Sequence, residues 1–153
     1  MSSAGARIER AVPADAPALA ALAAESLPEP WSVAGFAGEL ATPAARVWLV
    51  RGPAGAPAAY LAAHRVLDEL QVHSLAVARA QRRRGLGRAL VEHALVAEPG
   101  LRAAHLEVRC NDASALAFYA VLGFRPVGRR PGFYAGGVDA VSMSRFVAAS
   151  PRG

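Results

Sequence analysis

Apolar and polar positions along the chain group into segments that predict a mixed order of strands and helices. Residues 7–12 alternate well enough for a first strand with one covered face. Pro13 and Asp15 then open an alanine-rich segment that reads as a helix to about Leu27, ended by Pro28 and Pro30. Ser32 is a candidate N-cap for a short second helix through Phe36 and Leu40, stopped at Thr42-Pro43. Residues 47–51 and 58–66 predict strands joined by a hairpin turn at Gly52-Pro53-Ala54-Gly55, and Glu69–Val77 predicts a longer strand after them. Helical spacing resumes at Leu86, Leu90 and Leu95 and runs to Pro99-Gly100. A short strand is expected over 104–108, then a helix over 113–122 with Gly123 as its C-cap. Residues 125–130 and Val138–Phe146 close the pattern as two strands around a glycine-rich loop. The order is mixed α/β, with no internal repeat and no linker.

One junction in this pattern carries chemistry. Ser74-Leu75-Ala76-Val77 leads into Gln81-Arg82-Arg83-Arg84-Gly85-Leu86-Gly87, and Arg88-Ala89-Leu90-Val91 follows, so the run reads as strand, loop and helix start. Glycines at 85 and 87 let backbone N–H groups approach one spot beside the positive end of the helix, which makes an anion site. Arg82, Arg83, Arg84 and Arg88 add forked donors suited to phosphate oxygens, pointing to a diphosphate-bearing cofactor more than to a lone carboxylate. Read alone, the loop could equally be a solvated turn.

Composition narrows the class. At 153 residues the chain is expected to be one domain, 1–153, with a core over 7–147 and frayed termini that include Ser150-Pro151-Arg152-Gly153. Hydrophobic residues make up 54% of it, yet no apolar run approaches bilayer length, and the first residues lack a signal-peptide apolar region. No membrane association is expected, and a cytoplasmic location is the default. Cys110 is the single cysteine, so an internal disulfide and a cysteine-rich zinc site are excluded. The net charge is +5, and all 17 basic residues are arginine in a chain also rich in Ala and Gly, which reads in part as coding bias. Such charge attracts any polyanion and does not choose between cofactor phosphates and RNA.

Taken together, the Arg82-x-x-Gly85-x-Gly87 loop, Leu106-Glu107-Val108-Arg109, and Ala117-Phe118-Tyr119-Ala120-Val121-Leu122-Gly123-Phe124 resemble the GNAT superfamily of acetyl-CoA-dependent N-acetyltransferases, over nearly the whole chain. The resemblance implies a GNAT fold of the α/β (α+β) class, a mixed, mostly antiparallel sheet of six to seven strands flanked by about four helices. Pro30-Trp31-Ser32, the Glu107 strand, Arg129-Arg130, Phe133-Tyr134 and Asp139-Ala140 further resemble the bacterial ribosomal-protein-alanine N-acetyltransferases. That narrower likeness implies direct acetyl transfer to a protein N-terminal amine, typically the alanine of a ribosomal protein, with acetyl-CoA as cosubstrate and no metal. A monomer or weak dimer without direct nucleic-acid contact is expected. Alternatives are acetylation of a lysine side chain or a small amine, and, in another class, a non-catalytic acyl-CoA- or RNA-binding module. Intact Glu107 and Tyr119 argue against the latter, as does the lack of an aromatic-basic stacking platform.

The residues fit that chemistry independently. Along the predicted strand His105, Glu107 and Arg109 share a face, with Leu106 and Val108 on the other. An α-amine has a pKa of about 7.7–8.0 and costs only about 1 kcal/mol to neutralise at pH 7, against nearly 5 kcal/mol for a lysine at about 10.4. A carboxylate base is adequate for the first, and the resemblance assigns that role to Glu107. Glu107 also reads as an ordinary strand carboxylate paired with Arg109 or a histidine. Tyr119 is the matching acid. A phenol near about 10 protonating a thiolate near about 8.5 is uphill by about 2 kcal/mol, so a hydrogen bond to the thiolate is expected at least as much as transfer. Tyr119 also lies on an apolar stripe with Ala115, Leu116 and Leu122, as a core tyrosine would.

Backbone N–H groups of Leu75, Ala76 and Val77 would polarise the thioester carbonyl, as the family's splayed strand implies. With them, Arg82, Arg83, Arg84, Gly85, Leu86, Gly87, Arg88, Asn111 and Asp112 make the expected cofactor set. Asp112 stands where the family usually has Asn, so either Asn111 substitutes or that contact is lost. Trp31 and Tyr134 are candidate substrate contacts or packing residues. Glu29, Asp68 and Glu69 are candidate partners for a basic peptide. His64, His73, His93 and His105 show no metal-ligand spacing and read as structural or exposed. Cys110 is not expected to be a nucleophile.

Overall fold

The computed structural model describes residues 7–147, and the expected frayed termini at 1–6 and 150–153 lie outside the described residues. Seven strands and four α-helices follow one another as β1 (Ile8–Arg10), α1 (Ala16–Ser26), α2 (Val33–Leu40), β2 (Ala45–Arg51), β3 (Pro57–Val66), β4 (Glu69–Val77), α3 (Leu86–Ala97), β5 (Ala103–Arg109), α4 (Ala113–Val121), β6 (Arg125–Tyr134) and β7 (Val138–Phe146). Single 3-10 turns occupy Pro13–Asp15, Arg79–Gln81 and Ala135–Gly137. The strands run in the order β1-β2-β3-β4-β5-β7-β6. The β1/β2, β2/β3, β5/β7 and β6/β7 pairs are antiparallel and β4/β5 is parallel, the mixed and mostly antiparallel sheet expected. The chain divides into two compact units, residues up to 65 with 72–99, and residues 66–71 with those from 100 onward.

In the first unit β2 and β3 are buried on both faces. Pro57 through Ala63 of β3 show no exposed position at all, which is why this strand reads as an unbroken apolar run rather than an alternation. Leu19, Leu22 and Ala23 of α1, Phe36 of α2, and Val47, Leu49, Tyr60 and Ala62 of the strands form one core cluster. Alanines at 16, 20 and 23 let α1 lie close to the sheet. On the opposite face of β2, Trp48 meets His93 of α3 edge-on at 5.9 Å. Asp15 does not act as the simple cap of α1 that its position suggests. It accepts from the Val12 N–H at 2.8 Å and from Arg51 at 3.0 Å, holding the 3-10 turn to β2. At the far end of α3, buried Glu98 accepts from Arg46 at 3.1 and 3.2 Å and pairs with Arg65 at 3.5 Å. Removing both arginines would strand a buried charge.

In the second unit β5 and β7 pair over their whole lengths, from Ala103 opposite Phe146 to Arg109 opposite Ala140. β6 is the edge, exposed at nine of its ten positions. It extends past the expected end at 130 because pairing with β7 resumes at Tyr134 opposite Val138 after an irregular stretch. Asp139 fixes that stretch by accepting from the Gly132 N–H at 2.9 Å and from Arg129 at 3.0 Å. Pro126, Pro131 and the arginines keep this edge from templating another strand.

α4 ends where Gly123 takes φ +92°, with its N–H bonded to Ala120 O and the Phe124 N–H bonded to Tyr119 O, both at 3.0 Å. These two bonds are a Schellman closure, and the ring contact that completes it is Tyr119 against buried Phe124, 5.6 Å apart and steeply tilted. The Phe-Tyr-x-x-x-Gly-Phe block thus has a local cause. A Gly123→Ala substitution places a Cβ in the left-handed region, 3.4 Å from the Arg145 Cδ. We expect it to lower unfolding free energy by about 1–2 kcal/mol in urea titration.

Candidate active site

Glu107 sits on β5, whose exposure alternates so that His105, Glu107 and Arg109 are half-open and Leu106 and Val108 are buried. Its Oε2 accepts from the Ser142 hydroxyl at 3.0 Å and lies 3.6 Å from Arg130 Nε. Ser142 is the residue directly opposite Glu107 on β7, so the pairing register itself supplies this partner. The Arg109 guanidinium lies 4.6 Å from the centre of the Tyr134 ring. The Tyr134 hydroxyl in turn donates to the Glu107 carbonyl at 3.1 Å, and its ring meets Phe133 edge-on at 5.0 Å. Tyr134 is therefore tied to β5 rather than loose in a glycine-rich loop. Ser142 was not marked by the sequence and Arg130 only as part of the family likeness, because their contacts with Glu107 arise from how the strands align.

Tyr119 is half-buried on α4, with no hydrogen bond to its hydroxyl among the described residues. Burial pushes the phenol well above its ordinary value of 10.0, and Tyr134 and Asp112 push it further the same way. The O–H is thus kept as a donor. Asp112 caps α4, accepting from the Ala115 N–H at 3.0 Å, so the acidic residue in the usual Asn position serves the helix as well as Asn would. Asn111 and Asp112 are both exposed. An apolar groove of about 610 Å³ runs beside α4, lined by Leu116, Ala120, Phe124, Pro126, Val141 and Met143, and none of the expected site residues lines it.

The glycine-arginine loop belongs to the first unit. Gly85, at φ +75°, stands at the N-cap of α3 and offers no side chain to its first-turn N–H groups. The second left-handed residue is Arg83, at φ +66°, and not Gly87, which is buried in the first turn of α3. Of the four arginines, Arg82 donates to the Val77 carbonyl at 3.2 Å and Arg88 pairs loosely with Glu92 at 3.9 Å. Arg83 and Arg84 are exposed and have no partner among the described residues. Uncapped helix N–H groups with two unspent guanidiniums fit a diphosphate. Upstream, β4 pairs with β5 from Glu69 opposite Ala103 to Gln71 opposite His105.

The remaining candidates separate. Trp31 packs on Phe36 at 5.2 Å, and Phe36 meets Tyr60 edge-on at 5.3 Å, which makes Trp31 the outer member of a core aromatic chain. Asp68 and Glu69 are engaged by Arg102 at 3.1 and 2.6 Å, and Glu69 also meets His105 at 3.1 Å.

A phenol raised by folding keeps its proton where the unfolded chain has lost one. Its contribution is complete below pH 10 and declines as pH rises toward the folded value. Tyr119→Phe should therefore lose less stability than wild type between neutral pH and about pH 11, measured by urea titration at both.

Residues 16–124 match the Acetyltransferase (GNAT) family. In sequence, the ribosomal protein bS18-alanine N-acetyltransferase of Escherichia coli (strain K12) is 38% identical over 95 residues, 59% of this chain and 64% of that protein. The match therefore spans less than two thirds of that relative. N-alpha-acetyltransferase RimI of Mycobacterium tuberculosis is 36% identical over 123 residues, 76% of each. The crystal structure of the ribosomal-protein-S18-alanine N-acetyltransferase from Escherichia coli superposes with a TM-score of 0.87 at 30% identity, covering 96% of this chain and 97% of that one. No helix among the described residues is long and apolar enough to cross a membrane. With the matched segment reaching from α1 to the residue that closes α4, and the fold shared along nearly the full length of a solved relative, the chain belongs to the GNAT family of acetyltransferases.

Proposed function

We propose that this acetyltransferase acts on a protein N-terminal α-amine, with the alanine terminus of a ribosomal protein as its substrate class. The observation that carries the reading is Glu107, a half-open carboxylate held by Ser142 on a strand shared with relatives named for that reaction. The family's acetyl donor is acetyl-CoA, whose thioester supplies the activated acyl group. In the transfer a C–N bond forms as the amine attacks, the C–S bond breaks, and the amine's proton passes to Glu107 directly or through one water. Such a base suits an α-amine, which costs about 1 kcal/mol to neutralise at pH 7, far better than a lysine at nearly 5 kcal/mol.

Tyr119 meets the departing sulfur as a hydrogen-bond donor. Its raised pKa makes full proton transfer to a thiolate harder still, so the proton on the released thiol comes from solvent. Arg83 and Arg84, with the N–H groups that Gly85 leaves uncapped, serve the cofactor's diphosphate. Tyr134 positions β5 through the Glu107 carbonyl and borders the acceptor peptide.

The test is acetyl-CoA turnover against a panel. It contains an alanine-terminated basic peptide, the same peptide with a blocked terminus and free lysines, and small amines. Turnover is expected with the first alone, and turnover only with lysine peptides or small amines would overturn the assignment. Glu107→Gln and Tyr119→Phe are each expected to lower kcat by about tenfold or more while leaving acetyl-CoA affinity nearly unchanged. Wild-type turnover in both would remove their roles.

A further inference from the structure

Glu39, His64 and His73 are far apart in sequence, and the fold of the first unit brings them together. Glu39 lies in the last turn of α2, His64 near the end of β3 and His73 on β4. One ligand atom from each lies within 4.8 Å of the other two. Glu39 Oε2 and His64 Nε2 are 2.8 Å apart, and their side chains are 12% and 28% exposed. Yet both atoms are sealed from solvent and neither has a hydrogen bond. The 2.8 Å separation is that of an ion pair when His64 is protonated, yet no hydrogen bond closes it. A plain ion pair would turn the N–H onto the oxygen, and buried polar atoms left unpaired are unfavourable. The His73 ring stacks on His64 with centroids 4.6 Å apart and planes tilted by 44°, bringing a third donor to the same point from the exposed side.

We propose that Glu39, His64 and His73 form a binding site for a zinc-class divalent cation. Two imidazoles and one carboxylate are the donor set such ions take, whereas magnesium and calcium seek shells of oxygen alone. Ligands about 2.1 Å from a tetrahedral zinc stand about 3.4 Å apart, so the Glu39 and His64 atoms open slightly and exposed His73 swings inward to close the triangle. Three protein donors leave the fourth position to solvent on the His73 side. A bound ion satisfies both orphaned atoms at once and fastens the end of α2 to β3 and β4. No regular spacing announces this trio, because each ligand comes from a different element.

The full chain, stripped with a chelator, should bind one equivalent of Co²⁺ with the ligand-field absorption of a four-coordinate site. Zn²⁺ should displace it and raise the Tm. Glu39→Gln and His73→Asn should each weaken Co²⁺ binding by about tenfold or more and remove the Zn²⁺-induced rise in Tm. The Tm of metal-free His73→Asn, measured beside that of the metal-free wild type, separates loss of a ligand from loss of the fold. Absence of saturable Co²⁺ binding overturns the proposal. So does binding that persists unchanged in both variants, which would place the ion elsewhere on the chain.

Discussion

Antiparallel pairing of β5 with β7 in one fixed register is the constraint on which the second unit, and the chemistry proposed for it, depends. Side chains alternate with a period of two, so a slip of one residue would turn Glu107 into the core and bring Leu106 or Val108 out. The register is held by more than backbone bonds. Ser142 stands opposite Glu107 and donates to its carboxylate, and Ser144 stands opposite His105 and shares a 2.6 Å hydrogen bond with it. His105 is anchored on its other nitrogen by Glu69. Two cross-strand polar pairs on one face and a buried apolar row on the other leave a single alignment that satisfies both. The Tyr134 hydroxyl then fastens β6 to the same strand through the Glu107 carbonyl.

α4 solves a different problem. It carries Tyr119 into a half-buried place, yet none of its residues is fully buried, so packing alone does little to fix its end. The Schellman closure at Gly123 does that locally, and the Tyr119 ring is itself the apolar partner that the motif requires. Packing and the proposed chemistry fall to the same side chain. The ring holds the helix end while the hydroxyl is left without a partner among the described residues, and the burial that secures the ring also keeps the phenol protonated.

Much of this was legible in the residues because local signals and global structure agree. The Ser32 cap, the Asp112 cap and the Gly123 stop act where sequence puts them. Strand β3 resisted reading by alternation because it is buried on both faces, and β6 ran past its expected end because Asp139, seven residues beyond Gly132, holds the irregular stretch. The sequence offered candidates for the site only where a residue type carries the chemistry itself, as at Glu107, Tyr119 and the glycine-arginine loop. Ser142 and Arg130 owe their places to register, and Glu39, His64 and His73 to the meeting of three elements. No spacing rule reaches either case. The second left-handed residue of the glycine-arginine loop is Arg83, and such a conformation at a non-glycine residue leaves no mark in sequence.

The same loop has a consequence for pH dependence. Its charges are guanidiniums, with Arg83 and Arg84 unspent and Arg82 turned back onto the Val77 carbonyl. A guanidinium does not titrate in the range where enzymes are assayed, unlike the lysine that could stand in its place. On the proposed reading of the loop as the donor's diphosphate cradle, the protein's own share of that grip carries the same charge throughout the range in which an α-amine passes from charged to neutral.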